Sequence, residues 1–382
     1  MSLFQKNENY LGVDIGAHGI KLVELHKTKG RPQLWTYGIL DNDLDIHVAT
    51  HRDKDIADLR HERDMRYENP KDIEAKKQPS SLKELVLQDA RIDEYAGYLR
   101  MLAKEARVTS HRVTSSLPVS QVFHAILNLP HVEEKNIASI VNAEIAKVVP
   151  HDIADMQVVY QPVGDVHDKK KQYMTLLVTA APKALVAFYT AIFQKAGLQL
   201  EELETEAFAL ARSLVGRDST VSMVVDIGAE RSNFFIIDNG LPMTHRSMQI
   251  GGNTIDTVIA RVMGVDQAIV GQVKRDMSKG NMTIPTELFH DIIDPMAKEI
   301  QYSFDLYLRQ TGNEGKQPEK IILTGGSGLF RPIQDYITSQ FPLRVFIGDP
   351  WARVIYQDDL KQVLDELGPR MAVSIGLGLR NF

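Results

Sequence analysis

The chain carries the same unusual strand-and-turn design twice. "LGVDIGAHGIKLVEL", residues 11–25, is an apolar strand that contains an aspartate, turns at two glycines and continues as a second apolar run. "VSMVVDIGAERSNFFIIDNGLPM", residues 221–243, repeats this design, and Asp226 stands where Asp14 stands in the first copy. Two copies of an acid-bearing hairpin, 212 positions apart (226 − 14), predict an internally duplicated fold.

The residue types of the first hairpin predict a site for a polyphosphate and a metal ion. Gly16 and Gly19 allow backbone N–H groups to approach an anion, because no Cβ intervenes and positive φ costs little. A carboxylate at a strand end, such as Asp14, can hold hydrated Mg²⁺, which prefers oxygen ligands. Lys21 offers a point charge to phosphates. The alternative is that Asp14 and Asp226 cap hairpins or pair with lysines, but their joint recurrence with glycines favours ligand binding.

Two further glycine turns precede helices in the second half of the chain. "QIGGNTIDTVIARVMG", residues 249–264, and "KIILTGGSGLFRPIQDYI", residues 320–337, each place glycines ahead of an amphipathic segment. The beginning of a helix presents unpaired N–H groups and a dipole that favours anions. Neither turn has the GxxxxGK[ST] spacing of a P-loop. The candidate binding residues of these turns are Gly251, Gly252, Gly325, Gly326 and Ser327.

Composition restricts the class of protein. A chain of 382 residues predicts more than one domain, and a formal net charge of −6 argues against non-specific nucleic-acid binding. The absence of cysteine excludes disulfides and thiolate ligands. The first residues lack the apolar core of a signal peptide, and no apolar run approaches the roughly 20 residues that cross a bilayer. We therefore expect no direct membrane insertion and no nucleic-acid partner.

Changes of pattern along the chain indicate its domain organisation. Residues 51–77 contain 16 charged residues of both signs, typical of a solvated helix or inserted segment; a partner-docking arm is the alternative. Residues 112–203 show a β-α-β-β-α pattern, which predicts an inserted subdomain. The predicted divisions are a first domain at 1–111 with the charged insertion at about 41–80, the inserted subdomain at 112–203, a connecting helix at 204–220, a second domain at 221–350, and a return to the first domain at 351–382.

The order of these motifs resembles the actin-like ATPase superfamily. Within it, the chain resembles the PilM family of type IV pilus assembly proteins. The resemblance rests on segments such as "SSLPVSQVFHAILNLP", "NAEIAKVVPHD", "ETEAFALARSLVG", "EIQYSFDLYLRQ" and the closing "AVSIGLGLRNF". It implies an α/β, duplicated actin-like (ribonuclease H-like) ATPase fold, with two lobes around a nucleotide cleft and an inserted α/β subdomain.

The resemblance also implies ATP and Mg²⁺ as cofactors and assigns residues to them. It places the β- and γ-phosphates on the first hairpin, at Asp14, Gly16, Gly19 and Lys21, and on the second, at Asp226, Gly228 and Ser232. It places the nucleoside near the turn at Gly325, Gly326 and Ser327 and near Glu299, and Gly251 and Gly252 are further cofactor-binding candidates. Asp14 and Asp226 would hold Mg²⁺ through water, and Glu206 would position the attacking water as the catalytic residue.

This sequence departs from the family pattern in both phosphate turns. The first turn has Ala17 and His18 where relatives carry hydroxyl residues, and the second turn places Glu230 near a polyanion. A lost hydroxyl contact costs roughly 0.5–1.5 kcal/mol, and an adjacent acid adds repulsion. We expect ATP to bind weakly and to be hydrolysed slowly at most.

The resemblance implies a cytoplasmic scaffold, peripheral to the inner membrane through a protein partner. That partner would be the N-terminal cytoplasmic peptide of a PilN-like inner-membrane protein, held by the inserted subdomain; other pilus assembly ATPases and self-association are further expectations. One alternative is an FtsA-like division protein, but "GPRMAVSIGLGLRNF" is typical of a core helix rather than a basic membrane-binding one. The other is a small-molecule kinase, for which no catalytic base is apparent.

Overall fold

A computed structural model describes residues 9–47, 86–149, 152–163, 173–280, 285–313 and 315–382. The chain divides into two compact units. Unit 1 comprises residues 1–44, 106–120 and 204–382, and unit 2 comprises residues 45–105 and 121–203. No helix among the described residues combines the length and apolar character that a membrane crossing requires.

The described elements alternate strands and helices throughout the chain. The strands are β1 (Asn9–Gly16), β2 (Gly19–His26), β3 (Gln33–Leu40), β4 (Arg112–Leu117), β5 (Phe123–Pro130), β6 (Met156–Pro162), β7 (Tyr173–Pro182), β8 (Gln199–Thr205), β9 (Ser222–Ile227), β10 (Ser232–Asp238), β11 (Leu241–Met248), β12 (Lys320–Thr324) and β13 (Arg344–Ile347). The α-helices are α1 (Arg91–Glu105), α2 (Glu134–Ile145), α3 (Lys183–Ala196), α4 (Glu206–Leu210), α5 (Gly252–Met263), α6 (Gln267–Ser278), α7 (His290–Leu308), α8 (Arg331–Gln340) and α9 (Lys361–Gly378).

The two acid-bearing hairpins begin two sheets of the same design. The first sheet has the order β3-β2-β1-β4-β8, with β1 antiparallel to β2 and parallel to β4. The second has the order β11-β10-β9-β12-β13, with β9 antiparallel to β10 and parallel to β12. Each sheet is therefore a three-stranded meander whose first strand also pairs with a parallel strand, β4 or β12. This confirms the duplicated actin-like fold.

The backbone of helix α9 lies in direct contact with the backbone of β1 in the first sheet. A Cβ on Gly12 of β1 would lie 2.1 Å from the carbonyl oxygen of Ser374, and a Cβ on Gly376 would lie 2.0 Å from the carbonyl oxygen of Ala209 in α4. Glycine is needed at both positions because any side chain would overlap the opposite backbone. The closing residues from Met371 to Leu379 are buried, which confirms the prediction of a core helix there.

Unit 2 is built on a three-stranded antiparallel sheet of order β5-β7-β6. Its core contains Val141 and Ile145 of α2 against Leu176 and Val178 of β7. In the same unit, Lys195 at the end of α3 pairs with Asp93 of α1 at 2.6 Å. The order of elements from β5 to α3 is the predicted β-α-β-β-α.

The boundary of the inserted subdomain differs from the predicted residue 112. β4 was expected to open that subdomain, but it pairs with β1 in the first sheet, and unit 2 resumes at residue 121. Unit 2 also includes residues 45–105, which were assigned to the first domain. The reason is that parallel pairing joins strands distant in sequence, so nothing local to β4 reveals its partner. Residues 48–80, most of the charged insertion predicted at about 41–80, lie outside the described residues.

Candidate nucleotide site

The first hairpin places Asp14 and Lys21 opposite each other. They are direct partners in the antiparallel register of β1 and β2. Asp14 is buried, and its Oδ1 accepts a hydrogen bond of 2.7 Å from the hydroxyl of Ser116 at the end of β4. The Nζ of Lys21 lies 3.5 Å from the carbonyl oxygen of Gly19 and would lie 3.5 Å from a Cβ on Gly16. The lysine ammonium group therefore lies beside the turn.

The second hairpin places Asp226 in the same electrostatic environment. Asp226 lies near the end of β9, opposite Thr324 in the parallel register with β12. The pKa of the Asp226 carboxyl is raised to about 7, chiefly by burial and also by the charge of Asp14, while Lys21 opposes the shift. The carboxylates of the two hairpins are thus close enough to repel each other.

A third acid joins these two from α4. Glu206 is the first residue of that helix, and its Oε2 accepts a hydrogen bond of 3.2 Å from the backbone N–H of Val119. Burial raises the pKa of Glu206 well above its usual range, and the charges of Asp14 and Asp226 add to this shift. The Val119 hydrogen bond and Lys21 act in the opposite direction.

This group of residues fits a hydrated divalent cation. Lys21 is a nearby cation for the three acids Asp14, Asp226 and Glu206. One lysine cannot offset three negative charges, so a bound cation would lower the electrostatic cost of this cluster. Among the residues that the structure describes, no group of three or more histidine or acidic side chains is arranged to ligate a metal directly. Two carboxylates that bind through water suit Mg²⁺, which dehydrates reluctantly. The residues that would hold the ion are Asp14 and Asp226.

The glycine turns of the second sheet are joined by backbone hydrogen bonds. The N–H of Gly252 donates to the carbonyl oxygen of Gly228 at 2.8 Å, which ties the start of α5 to the second hairpin. The N–H of Ser327 donates to the carbonyl oxygen of Ile227 at 3.1 Å, which ties the turn after β12 to the same hairpin. The predicted residues Gly228, Gly251, Gly252, Gly325 and Ser327 are therefore brought together, although they lie in three segments.

Close approach explains why glycine occupies these turns. Gly325 has φ of +85°, and a Cβ there would lie 2.5 Å from Oδ1 of Asp226. Gly19 has φ of +102°, and its Cβ would lie 1.7 Å from the carbonyl oxygen of Leu40. A Cβ on Gly251 would lie 2.5 Å from the carbonyl oxygen of Ala229. Gly326 is different, because the nearest atom to its Cβ would be Cγ of Arg370 at 3.8 Å.

Lys274 is a basic residue of this region that the sequence analysis missed. It lies on α6, and its Nζ would be 3.3 Å from a Cβ placed on Gly252. The hydroxyl oxygen of Ser327 would be 2.7 Å from the same Cβ, so both side chains border Gly252. Asp256 of α5 holds Lys274 through an ion pair of 2.9 Å. The sequence contains no local motif that would connect Lys274 with the glycine turns, since α5 and α6 bring them together only in three dimensions.

Ser232, which was expected to bind a phosphate, has a protein partner in the structure. Its side chain is fully buried, and its hydroxyl donates a 2.6 Å hydrogen bond to the carbonyl oxygen of Ile250, the residue before Gly251. A buried hydroxyl with this partner is not presented to a phosphate. Ser232 instead fixes the position of the Gly251–Gly252 turn against β10.

Glu299 is engaged by a residue outside the glycine turns. Its Oε1 accepts a 2.6 Å hydrogen bond from Nε of Arg246 on β11, and the guanidinium of Arg246 lies 5.0 Å from the ring centroid of Tyr302. The expected contact between Glu299 and a nucleoside stays a prediction.

Comparison with known proteins identifies the family. The family model described as "Type IV pilus assembly protein PilM" matches residues 78–382. The chain belongs to the PilM family. One solved structure, titled "PilM-PilN type IV pilus biogenesis complex", is similar with a TM-score of 0.74 at 21% identity, covering 97% of this chain and 98% of that one. The ethanolamine utilization protein EutJ from Carboxydothermus hydrogenoformans is similar with a TM-score of 0.51 at 14% identity, covering 97% of this chain and 89% of that one.

Membership of the PilM family makes this a type IV pilus assembly protein. The two structural similarities, at these low identities, bear on the fold, and they agree with the duplicated sheets described above.

Proposed function

We propose that this PilM-family protein binds MgATP in unit 1 and acts as a scaffold that captures the cytoplasmic N-terminal peptide of a PilN-like inner-membrane protein. The observation that carries the nucleotide part is the convergence of Asp14, Asp226 and Glu206 with Lys21 beside interlocked glycine turns. Backbone N–H groups at such turns bind phosphate oxygens, and the acids suit a hydrated cation.

In this proposal each residue of the site has its own task. Gly16, Gly19 and Lys21 bind the terminal phosphates, and Gly228 with the Gly251–Gly252 turn binds them from the second sheet. Gly325, Gly326 and Ser327 lie against the nucleoside. Asp14 and Asp226 would hold Mg²⁺ through water, and the ion would supply positive charge against the phosphates.

Glu206 orients water at the terminal phosphate, and hydrolysis is slow. Burial raises the pKa of Glu206 well above its usual range, so its carboxyl releases a proton less readily than an exposed glutamate does. The second phosphate turn lacks the hydroxyl contact expected of Ser232, whose O–H is committed to Ile250. A bound nucleotide would therefore serve mainly to hold a conformation.

Unit 2 is the proposed peptide-binding part. Val159 and Tyr160 are exposed on β6, an edge strand of its three-stranded sheet. Exposed sheet edges with apolar side chains accept extended peptides as added strands. The solved similar protein whose title names a PilM-PilN complex supports this type of partner. Attachment to such a partner would bring the chain to the cytoplasmic face of the inner membrane.

The peptide part is tested by calorimetry and hydrogen exchange on the full chain. A synthetic N-terminal peptide of the PilN-like protein from the same pilus system is titrated into the protein, with a scrambled peptide as the control. We expect binding of the native sequence alone, with amide protection in residues 121–163 and 173–203. Absence of binding, or protection confined to residues 221–347, contradicts the proposal.

A further inference from the structure

The four residues after β3 lie against the first phosphate turn. The N–H of Leu44 donates to the carbonyl oxygen of Ala17 at 2.8 Å. The carbonyl oxygen of Leu40 occupies the space where a Cβ on Gly19 would be. We call residues 41–44, Asp-Asn-Asp-Leu, the acidic strap. Its attachment to the turn is made by backbone groups and does not depend on its two acids.

Both acids of the strap pair with basic groups at the candidate nucleotide site. Asp43 Oδ1 lies 2.9 Å from Nδ1 of His18, a residue of the first phosphate turn. Asp41 forms an ion pair with Arg370 of α9. Arg370 lies beside the turn that follows β12, Gly325–Ser327, which we call the third turn, because its Cγ would be 3.8 Å from a Cβ on Gly326.

The position of Arg370 is fixed by the third turn itself. The residue before it, Pro369, accepts hydrogen bonds from the N–H of Gly325 at 3.0 Å and from the hydroxyl of Thr324 at 3.1 Å. The strap thus reaches two of the glycine turns, and at each turn one of its acids pairs with a side chain that borders the site.

Stability does not explain these pairs well. The carboxylate of Asp43 is 89% exposed and that of Asp41 is 52% exposed, and such surface pairs contribute little to folding. Two acids beside a polyphosphate site have a stronger effect on the ligand, since they repel its charge and occupy the groups that would attract it.

We propose that the acidic strap is a built-in competitor of the nucleotide phosphates. Asp43 and Asp41 hold His18 and Arg370 when the site is empty, and bound phosphates take over these two basic residues, which releases both acids from their pairs. The inference rests on the proposed binding of MgATP to this site. It assigns His18 and Arg370 as nucleotide-binding residues and the strap acids as groups that weaken binding.

Calorimetric titration of the full chain with MgATP at low salt tests the strap. We expect Asp41→Asn and Asp43→Asn each to tighten binding about threefold, and the double variant about tenfold. Arg370→Gln weakens binding. When His18→Ala is added to Asp43→Asn, the increase in MgATP affinity is lost, because that increase comes from His18 once it is released from Asp43. High salt reduces all these differences.

The matched control is Asp365→Asn on α9, which breaks an exposed pair with Lys361 without touching a glycine turn. It leaves MgATP affinity at the wild-type value. If the strap acids instead position the binding residues, Asp41→Asn and Asp43→Asn weaken binding, and the proposal is wrong; unchanged affinity refutes it as well. Wild-type protein that binds no MgATP overturns the proposed nucleotide function itself, which distinguishes the two failures.

Discussion

Gly325 and Asp226 touch across two different strands of the second sheet. A Cβ on Gly325 would lie 2.5 Å from Oδ1 of Asp226 and 2.5 Å from the carbonyl oxygen of Ile227. The turn that follows β12 is therefore built directly onto the acid of the second hairpin, which lies near the end of β9. This contact links the candidate nucleoside turn to the candidate metal-binding residue.

Gly325→Ala is expected to destabilise the protein and to weaken MgATP binding. Its φ of +85° is unfavourable for alanine, and the new methyl group overlaps the Asp226 carboxylate, so we expect a loss of roughly 1–3 kcal/mol. Thermal unfolding of the ligand-free protein measures this loss. Gly326→Ala is the control, since its nearest neighbour is at 3.8 Å, and its unfolding free energy stays within about 0.5 kcal/mol of wild type. Equal effects of the two substitutions would show that this packing argument fails.

Gly376→Ala and Gly271→Ala should change stability in opposite directions. The Gly376 methyl would lie 2.0 Å from the carbonyl oxygen of Ala209, so α9 and α4 must separate, and we expect a loss of about 2 kcal/mol or more. Gly271 lies exposed in the interior of α6, and its nearest neighbour is the flexible end of Arg275 at 3.7 Å. Alanine there gains roughly 0.5–1 kcal/mol from helix propensity. Denaturant unfolding of both variants checks the two signs.

His124 is expected to make stability fall in mild acid. Burial lowers the pKa of this histidine from 6.5 to about 4, and its Nδ1 lies 3.2 Å from the hydroxyl of Thr179. The unfolded chain therefore takes up a proton first as the pH falls. Above pH 6.5 the residue has no effect, and between pH 6.5 and 4 about 3 kcal/mol of stability is lost. Unfolding curves from pH 4 to 8 measure this loss, and His124→Gln should flatten the slope. A variant that keeps the wild-type slope contradicts the assignment.

Asp226→Asn should stabilise the ligand-free protein while removing Mg²⁺-dependent nucleotide binding. The pKa of Asp226 is raised to about 7 mainly by burial, so its folded form favours the proton more than its unfolded form does. The ionised carboxyl therefore lowers the free energy of unfolding. This loss is absent below the unfolded pKa near 4 and reaches its full size as the pH rises through 7. Thermal unfolding in a chelator should therefore show a higher midpoint for the variant at pH 8 and equal midpoints at pH 4. A lower midpoint at pH 8 would argue that Asp226 is there to stabilise the fold.

The local sequence pattern was sufficient to predict the duplicated hairpins, but not to predict which strands pair with them. The strands on either side of Gly16 and Gly228 follow from apolar runs broken by turn residues, which are properties of neighbouring positions. The parallel pairing of β4 with β1 depends on residues about 100 positions apart, so the subdomain boundary at residue 112 was placed too early.

The candidate site shows the same limit for individual side chains. Glycine turns could be recognised in sequence because glycine is required by backbone geometry. The hydroxyl of Ser232 was expected at a phosphate, but it is committed to Ile250, which only the packing of the next turn decides. Lys274 and Arg370 reach the turns from helices that have no motif in common with them, so their contribution depends on tertiary structure.

The most direct test of the account is MgATP binding by calorimetry to wild type and to Asp14→Asn. The substitution keeps the size of the side chain. It removes the negative charge that lies opposite Lys21 in the first hairpin and that accepts a hydrogen bond from Ser116 of β4. The account predicts that wild type binds MgATP and that Asp14→Asn loses at least about 100-fold in affinity. The reason is that the interaction of a buried carboxylate with Mg²⁺ and its other partners contributes about 3 kcal/mol or more to binding. Wild type that binds no MgATP, or equal affinity of the two proteins, would contradict it.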